Sequence, residues 1–266
     1  MAVLPPDPVF CFKSDMGYIH SLCFCAKSYN YCPQLLAATE KGTVYFWDLE
    51  TNRLQHQQHM GESIQKIHYF NDNIITQQKS GLVKLWSVEN RAYEIVNTYE
   101  AGGGYCKSLI LKDNLYVPQE DGAVDVLDVN SLKKVKQLTH DKEKTGWDYV
   151  SAGGQSQWEC LFIRRLRDRY GDIILWDLNT FKPCGHIKLQ EHITSLTFDP
   201  VTCRGVCGSA SNTLQLFTID KSYNMTLKCE VSITNEGCNI VKLRPDGKIM
   251  VSGGWDGDYG SFPGRP

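Results

Sequence analysis

Cysteine and histidine are the side chains of this sequence that could hold a metal ion or act as nucleophile and base. The chain has 11 cysteines and seven histidines, and Cys23, Cys25 and Cys32 lie close to His20. Zinc sites usually need two close ligand pairs at regular spacing, and the sequence contains no C-x-x-C pair. We therefore expect free cysteines that behave mainly as small buried apolar side chains, and no metal site.

Four arginines within six positions form a dense cationic run. They are Arg164, Arg165, Arg167 and Arg169. Guanidinium groups bind phosphate and carboxylate groups through paired hydrogen bonds, so the run could contact a phosphopeptide or an acidic partner. A solvated hairpin extension or a poorly formed strand would show the same residues, and the sequence favours this interpretation over a binding role.

Sequence motifs for catalysis are missing from the chain. There is no phosphate-binding G-x-x-x-x-G-K-[ST] loop, no dinucleotide-binding G-x-G-x-x-G, no G-x-S-x-G nucleophile turn and no H-E-x-x-H zinc motif. Because neither a nucleophile nor a phosphate cradle can be identified, we predict that the protein is not an enzyme. We also expect no cofactor and no small-molecule substrate.

The overall composition is that of a folded globular chain. Of its 266 residues, 42% are hydrophobic and 22% are charged, which excludes a disordered or collagen-like protein. The apolar runs are only a few residues long, so we expect no membrane span. A formal net charge of −2 argues against nucleic-acid binding, because such domains are usually basic. The first residues do not form a secretory signal, and we expect a cytoplasmic protein, with the nucleus left open as a second location.

A short repeat is the strongest pattern in the sequence. A turn with glycine or asparagine is followed by alternating apolar residues and then by Trp-Asp or a remnant of it. The turn positions are 42, 81, 122, 171, 212 and 257, and successive positions differ by 39, 41, 49, 41 and 45 residues. Four-stranded propeller blades repeat about every 40 to 45 residues and carry a Trp-Asp signature. We therefore predict an all-β propeller chain with six recognisable repeat units.

The signature residues have physical reasons to recur. A tryptophan near the end of the third strand can fill the wedge between neighbouring blades, and the aspartate after it can satisfy backbone donors at the strand end. Glycine at the preceding turn tolerates the positive φ angles of tight hairpins. We predict structural roles for the whole set, which consists of Gly42, Trp47, Asp48, Gly81, Trp86, Gly122, Asp128, Gly171, Trp176, Asp177, Trp255 and Asp256.

Several motifs resemble the WD40-repeat family, and within it the G-protein β-like proteins. They are PDPVF at 6–10, RGVCGSA at 204–210, and RPDGKI at 244–249 leading to GWD at 254–256. The resemblance covers about residues 9 to 257. It implies a seven-bladed propeller that acts as a non-catalytic scaffold for protein–protein interactions.

The same resemblance implies particular partners. Proteins of this branch assist the TELO2–TTI co-chaperone complex and Hsp90 in the maturation and stability of phosphatidylinositol-3-kinase-related kinases. We take this role, with those kinases as Hsp90-dependent clients, as the expected function. The alternative is a substrate-adaptor or phosphopeptide-reading module, for example of a ubiquitin ligase or a chromatin complex, in which the arginine run would bind the partner.

The sequence departs from the seven-bladed pattern at its end. Only nine residues follow Gly257, whereas another blade needs about 40, and Gly260 and Pro263 are poor strand residues. We therefore expect a Pro-rich tail at 1–8, the propeller at 9–257 and a tail outside the repeat at 258–266. Residues 9–13 suit an outer strand that has lost its partners, so we expect six units of seven and an open ring.

Overall fold

The structure is a computed structural model that describes residues 10–27, 30–89, 92–104, 106–120, 123–139, 148–153, 160–167, 170–244, 246–257 and 259–263. Every regular element in these ranges is a β-strand. No helix within them is long and apolar enough to cross a bilayer. The all-β class predicted from the repeat is therefore confirmed.

The strands form six antiparallel sheets in chain order, which we call blades 1 to 6. Blades 1 to 5 have four strands each, and three strands of blade 6 are described. Consecutive strands are neighbours in every blade, so each blade is a meander joined by hairpins. The chain divides into two compact units, residues 1–137 and residues 138–266.

The first unit contains blades 1 to 3. Blade 1 consists of β1 (Ile19–Lys27), β2 (Asn30–Thr39), β3 (Thr43–Asp48) and β4 (Arg53–His59). Blade 2 consists of β5 (Ile64–Phe70), β6 (Asn73–Gln78), β7 (Leu82–Glu89) and β8 (Ala92–Glu100). Blade 3 consists of β9 (Leu109–Leu111), β10 (Asn114–Pro118), β11 (Val124–Asp128) and β12 (Lys134–Leu138).

The second unit contains blades 4 to 6. Blade 4 consists of β13 (Asp148–Gly153), β14 (Cys160–Arg167), β15 (Tyr170–Asp177) and β16 (Lys182–Leu189). Blade 5 consists of β17 (Ile193–Asp199), β18 (Arg204–Ser209), β19 (Thr213–Ile219) and β20 (Met225–Ser232). Blade 6 consists of β21 (Cys238–Leu243), β22 (Ile249–Gly254) and β23 (Tyr259–Pro263).

Burial changes from the middle of a blade to its outer edge. Strands β3 and β6 are buried along nearly their whole length, because side chains on both of their faces meet neighbouring structure. The outermost strands β4 and β12 are mostly exposed and polar. Polar and charged outer strands protect a free sheet edge from pairing with other chains. The sequence pattern thus fixes which strands lie inside and which lie at the edge.

Apolar clusters between adjacent blades form the core of the first unit. The main cluster joins blades 1 and 2 and includes Leu36, Phe46 and Ile67, all of them almost fully buried. Phe46 stacks on Tyr93 of blade 2, with ring centroids 5.2 Å apart. The backbone N–H of Ile67 also donates to the Ser21 hydroxyl of β1 at 3.2 Å. Apolar packing and hydrogen bonding therefore both hold these two blades together.

The second unit has a corresponding core between blades 4 and 5. Ile173 and Leu175 of β15 pack with Leu196 and Phe217 of blade 5. The ring of Phe217 lies over Gly205, where an added Cβ would come within 2.1 Å of the ring. Glycine is needed at that position because the aromatic ring occupies the space of any side chain.

The chain end differs from the sequence expectation. Residues 258–266 were expected to lie outside the repeat, but Tyr259–Pro263 pairs with β22 as the third strand of blade 6. Pro263 fits this strand because it is the last residue, opposite Ile249, where its missing N–H is tolerated. Gly260 lies within the strand, opposite Ser252. Residues 10–13, expected to form an outer strand, are not in a strand.

Candidate interaction surface

Three signature tryptophans are buried in third strands. Trp47, Trp86 and Trp176 lie in β3, β7 and β15, and each is only 5% exposed. Trp86 belongs to the cluster between blades 1 and 2, so its ring faces the preceding blade. Placing a large ring there buries area that one sheet could not bury alone. These side chains act in packing and leave no indole face for a ligand.

The indole N–H groups of two of these tryptophans differ in their partners. Trp86 donates its Nε1–H to the Thr76 hydroxyl at 3.0 Å, and both side chains are buried. Trp47 Nε1 is buried without a partner among the described residues. Ala37 stands two residues beyond the cross-strand partner of Trp47, as Thr76 does for Trp86, and offers no oxygen. A single threonine-to-alanine difference explains the missing bond.

The signature aspartates bind backbone donors at the turn after the third strand. Asp48 Oδ1 accepts hydrogen bonds from the N–H groups of Glu50 and Thr51 at 2.8 and 2.9 Å. Asp128 accepts from the N–H and the hydroxyl of Ser131 at 2.8 and 2.7 Å. Such turns hold the chain in place as it enters the fourth strand.

Asp177 makes the equivalent contacts in blade 4. It accepts hydrogen bonds from the N–H of Asn179 at 2.9 Å and from the Thr180 hydroxyl at 2.7 Å. These two bonds, the one from Asn179 first, lower the pKa of Asp177. The group therefore remains a charged acceptor for the turn.

Two further aspartates share this geometry although the repeat did not identify them. Asp199 accepts from the N–H of Val201 at 3.0 Å, and Asp220 accepts from the N–H groups of Ser222 and Asn224 at 2.8 and 2.9 Å. Hydrogen bonds from Asn224, its side-chain amide first, lower the pKa of Asp220. At both places the aspartate precedes a polar turn residue by two or three positions, Ser222 after Asp220 and Thr202 after Asp199, and this is a signal that the sequence offered.

The turn glycines fall into two groups. Gly42 and Gly81 have φ angles of 80° and 95°, and a Cβ at either position would collide with a backbone carbonyl oxygen. Gly171 instead lies within β15, where it is needed because Ile193 would lie 2.5 Å from an added Cβ. Gly122 lies outside the described residues. The predicted turn at 171 therefore needs correction, because the strand begins one residue earlier, at Tyr170.

Trp255 and Asp256 do not have the places that the signature predicts. Trp255 lies in the hairpin between β22 and β23 and is 63% exposed. Asp256 accepts a hydrogen bond from the side-chain amide of Asn235 and precedes the third strand, β23, instead of following it. The spacing explains the difference, because Trp255 precedes its turn glycine by two residues, whereas Trp47 follows Gly42 by five. The Trp-Asp dipeptide at 255 therefore belongs to the turn.

The arginine run lies in and just after β14. Arg164 and Arg165 pair in the backbone with both β13 and β15, and Arg167 pairs with β15. The side chains of all three lie outside the described part of the structure. Arg169 lies outside the described residues altogether. The partner-binding role of this run remains a prediction. The backbone pairing shows only that the first three of these arginines are part of blade 4.

A buried histidine network that the sequence did not reveal lies in the first unit. His68 Nε2 is 3.1 Å from the Ser108 hydroxyl, and the Ser108 N–H donates to Gln77 at 2.6 Å. Burial is the main cause that lowers the pKa of His68 to about 3, and the nearby Lys66 charge adds to it. The imidazole is therefore neutral and structural, fastening the segment before β9 to blade 2. Among the described residues, no group of three or more acidic, Cys or His side chains could hold a metal ion.

An exposed apolar strip on β1 is the main candidate surface for a partner. Leu22 and Phe24 are 54% and 74% exposed, and Tyr18 and Ile19 just before them are 77% and 44% exposed. Cys25 of the same strand is buried against blade 2, so alternation turns Leu22 and Phe24 to the opposite face. Four large apolar side chains in seven residues at the surface are unusual unless another surface covers them.

The N-terminal segment covers the other half of this face. Phe12 packs against the Trp47 ring, and Met16 is buried with Leu35 and Tyr45. The Tyr45 hydroxyl donates to the Asp15 carbonyl oxygen at 3.4 Å. Residues 10–17 thus cover the part of the face near β2 and β3 and leave the β1 strip bare.

Comparison with known proteins agrees with this architecture. No protein-family model matches the chain. The chain is 26% identical over 268 residues to guanine nucleotide-binding protein subunit beta-like protein 1 of Mus musculus, covering 95% of this chain and 82% of the mouse protein. This match agrees with the resemblance to G-protein β-like proteins that the motifs indicate.

Solved structures show the same fold. A chain in the crystal structure of the mitotic checkpoint complex superposes with a TM-score of 0.76 at 15% identity, covering 94% of this chain and 76% of that one. The computationally designed Ika8 protein gives a TM-score of 0.66 at 16% identity, covering 92% of this chain and 70% of the designed chain. The chain is thus a WD40-like β-propeller that resembles the mouse G-protein β-like protein along nearly its whole length.

Proposed function

We propose that this protein is a non-catalytic scaffold that helps the TELO2–TTI co-chaperone complex and Hsp90 to mature phosphatidylinositol-3-kinase-related kinases. The proposal places it in the cytoplasm, with the nucleus as a second location. The similarity to the mouse G-protein β-like protein supports the choice of partners. A WD40-like propeller suits protein partners in general, but the fold alone does not specify which ones.

The exposed β1 strip is the observation that carries the scaffold function. Phe24 and Leu22 present apolar area to solvent beside the covered core of blade 1. Burying such side chains contributes about 1.5 to 3 kcal/mol each, which is enough for a few of them to anchor a protein interface. We propose that the co-chaperone complex covers this strip.

Affinity purification of the tagged protein from cells, followed by mass spectrometry, tests this function. We expect TELO2–TTI components and immature kinases with the unchanged chain, and their loss with Phe24→Ser. Val201→Ser is the matched control, because Val201 is also an exposed apolar residue, 84% exposed, but lies in a turn of blade 5, outside the β1 strip. Recovery of a ubiquitin-ligase subunit in their place would contradict the maturation role and favour the adaptor alternative.

A further inference from the structure

Trp255 occupies a turn position that does not require a tryptophan. Its backbone N–H donates to the Gly237 carbonyl oxygen at 2.9 Å. Glu40, Lys79 and Ala210 make the same kind of bond at the same turn of blades 1, 2 and 5, at 3.0, 3.0 and 3.1 Å. The turn therefore accepts acidic, basic and small side chains alike. A large exposed ring at this one turn calls for an explanation other than folding.

The Trp255 ring is fixed although it is exposed. Gly237 has a φ angle of 87°, and a Cβ added there would lie 2.3 Å from the indole. The Gly237 N–H donates in turn to the Ser211 carbonyl oxygen at 3.2 Å, and Asn235 binds Asp256 next to the tryptophan. One part of the ring thus rests on a glycine in a hydrogen-bonded loop, and 63% of the residue remains open to solvent. A ring held in this way loses little conformational entropy when it binds a partner.

The charged residues next to Trp255 and Gly237 in the sequence are acidic. Glu236 directly precedes Gly237, Asp256 directly follows Trp255, and both are exposed. Among the described basic residues of blade 6, Lys242 lies within β21, and Arg244 and Lys248 lie at the hairpin at the other end of the strands, where Arg244 pairs with Asp246 at 2.6 Å. The face of an indole attracts cations through its quadrupole, and nearby carboxylates strengthen that attraction. The chemistry of the loop therefore suits a cation.

We propose that Trp255 is a binding site for an arginine or lysine side chain in an extended basic segment of a partner protein. The cation lies over the open face of the indole, and Glu236 and Asp256 attract the basic segment around it. Tryptophan and arginine are the residue types most often found at the centres of protein interfaces. The inference rests on the proposed scaffold function only in that the ligand is a protein. It does not depend on whether that protein belongs to the kinase-maturation system.

Nuclear magnetic resonance of ¹⁵N-labelled tryptophan side chains provides the test. The whole chain is titrated with a blocked peptide of glycine, serine and two arginines, and with a second peptide in which glutamates replace the arginines. The indole signal that disappears in Trp255→Leu belongs to Trp255. We expect the arginine peptide to shift that signal, added salt to weaken the effect, and the glutamate peptide to leave it unchanged. Equal shifts with both peptides, or no shift, would overturn the site.

Matched variants separate the contribution of the aromatic ring from that of apolar surface area. Trp255→Leu retains an apolar side chain and should weaken binding of the arginine peptide about twofold to fivefold, the effect of an exposed cation–π contact. Glu236→Gln should weaken it less, and Val201→Ser should not change it. Unchanged affinity in Trp255→Leu would contradict the proposal. Because co-chaperone recovery is tested through Phe24, the proposed function and the Trp255 site can fail independently of each other.

Discussion

Phe12 meets Trp47 edge to face, with ring centroids 5.2 Å apart and ring planes inclined by 63°. The equivalent tryptophan of blade 2, Trp86, packs instead against the sheet of blade 1. The segment that carries Phe12 thus packs against the signature tryptophan of blade 1, as the sheet of blade 1 packs against the signature tryptophan of blade 2. It stops short of Leu22 and Phe24, and these two side chains remain exposed as a result.

The hydrogen bond between Trp86 and Thr76 gives a first prediction. Thr76→Val retains the shape of the side chain but removes the acceptor, and should lower the free energy of unfolding by about 1 to 3 kcal/mol. Ala37→Ser supplies an acceptor near the unpaired Trp47 Nε1 and should raise it by about 0.5 to 1.5 kcal/mol. Urea denaturation followed by circular dichroism measures both. Opposite signs are expected, and equal destabilisation would show that the matching positions are not equivalent.

The turn glycines give a second prediction. Gly42 and Gly257 both have positive φ angles, of 80° and 85°, but only at Gly42 would a Cβ collide with a carbonyl oxygen, at 1.5 Å. Gly257→Ala should therefore cost only the conformational strain, about 1 to 2 kcal/mol. Gly42→Ala should cost clearly more, because the Gly61 backbone must also move. Thermal denaturation of the two variants compares them directly, and similar midpoints would contradict the close approach at Gly42.

The buried imidazole of His68 predicts a pH dependence of stability. Its pKa is about 3 in the folded protein, against about 6.5 in an unfolded chain. Between these values the unfolded state binds one more proton, so stability is retained above pH 6.5 and falls with decreasing pH by up to about 1.4 kcal/mol per unit. The urea midpoint, measured at pH 7.5, 6.5 and 5.5, should fall with decreasing pH less steeply in His68→Gln than in the unchanged chain. A variant with the same pH slope as the unchanged chain would show that His68 is not the group responsible.

Much of the fold could be predicted from the spacing of glycines and tryptophans. The repeat predicted Trp47, Trp86 and Trp176 near the ends of third strands, and all three lie in third strands, each five positions after its glycine. The repeat could not place the dipeptide at Trp255 in a third strand, because it precedes its turn glycine by two positions instead of following it by five. The composition could not reveal β23 either, since backbone pairing with β22 outweighs the poor strand propensity of Gly260.

The candidate surfaces were hardly predictable. Leu22 and Phe24 alternate with Ser21 and Cys23 as in any inner strand, and exposure depends on what covers the far face of the blade. That information is in the packing of residues 10–17 and not in the strand itself. The repeat gives no signal for His68 either, which is buried in the middle of β5.

Binding of the purified chain to a reconstituted TELO2–TTI complex, measured by biolayer interferometry, tests the central claim most directly. The unchanged chain and Val201→Ser should bind with equal affinity, and Leu22→Ser combined with Phe24→Ser should bind at least about tenfold more weakly, because two apolar anchors are lost. Circular dichroism should show the same fold for all three, since the changed residues are exposed. Equal binding by all three chains, or no binding by the unchanged chain, would contradict the account.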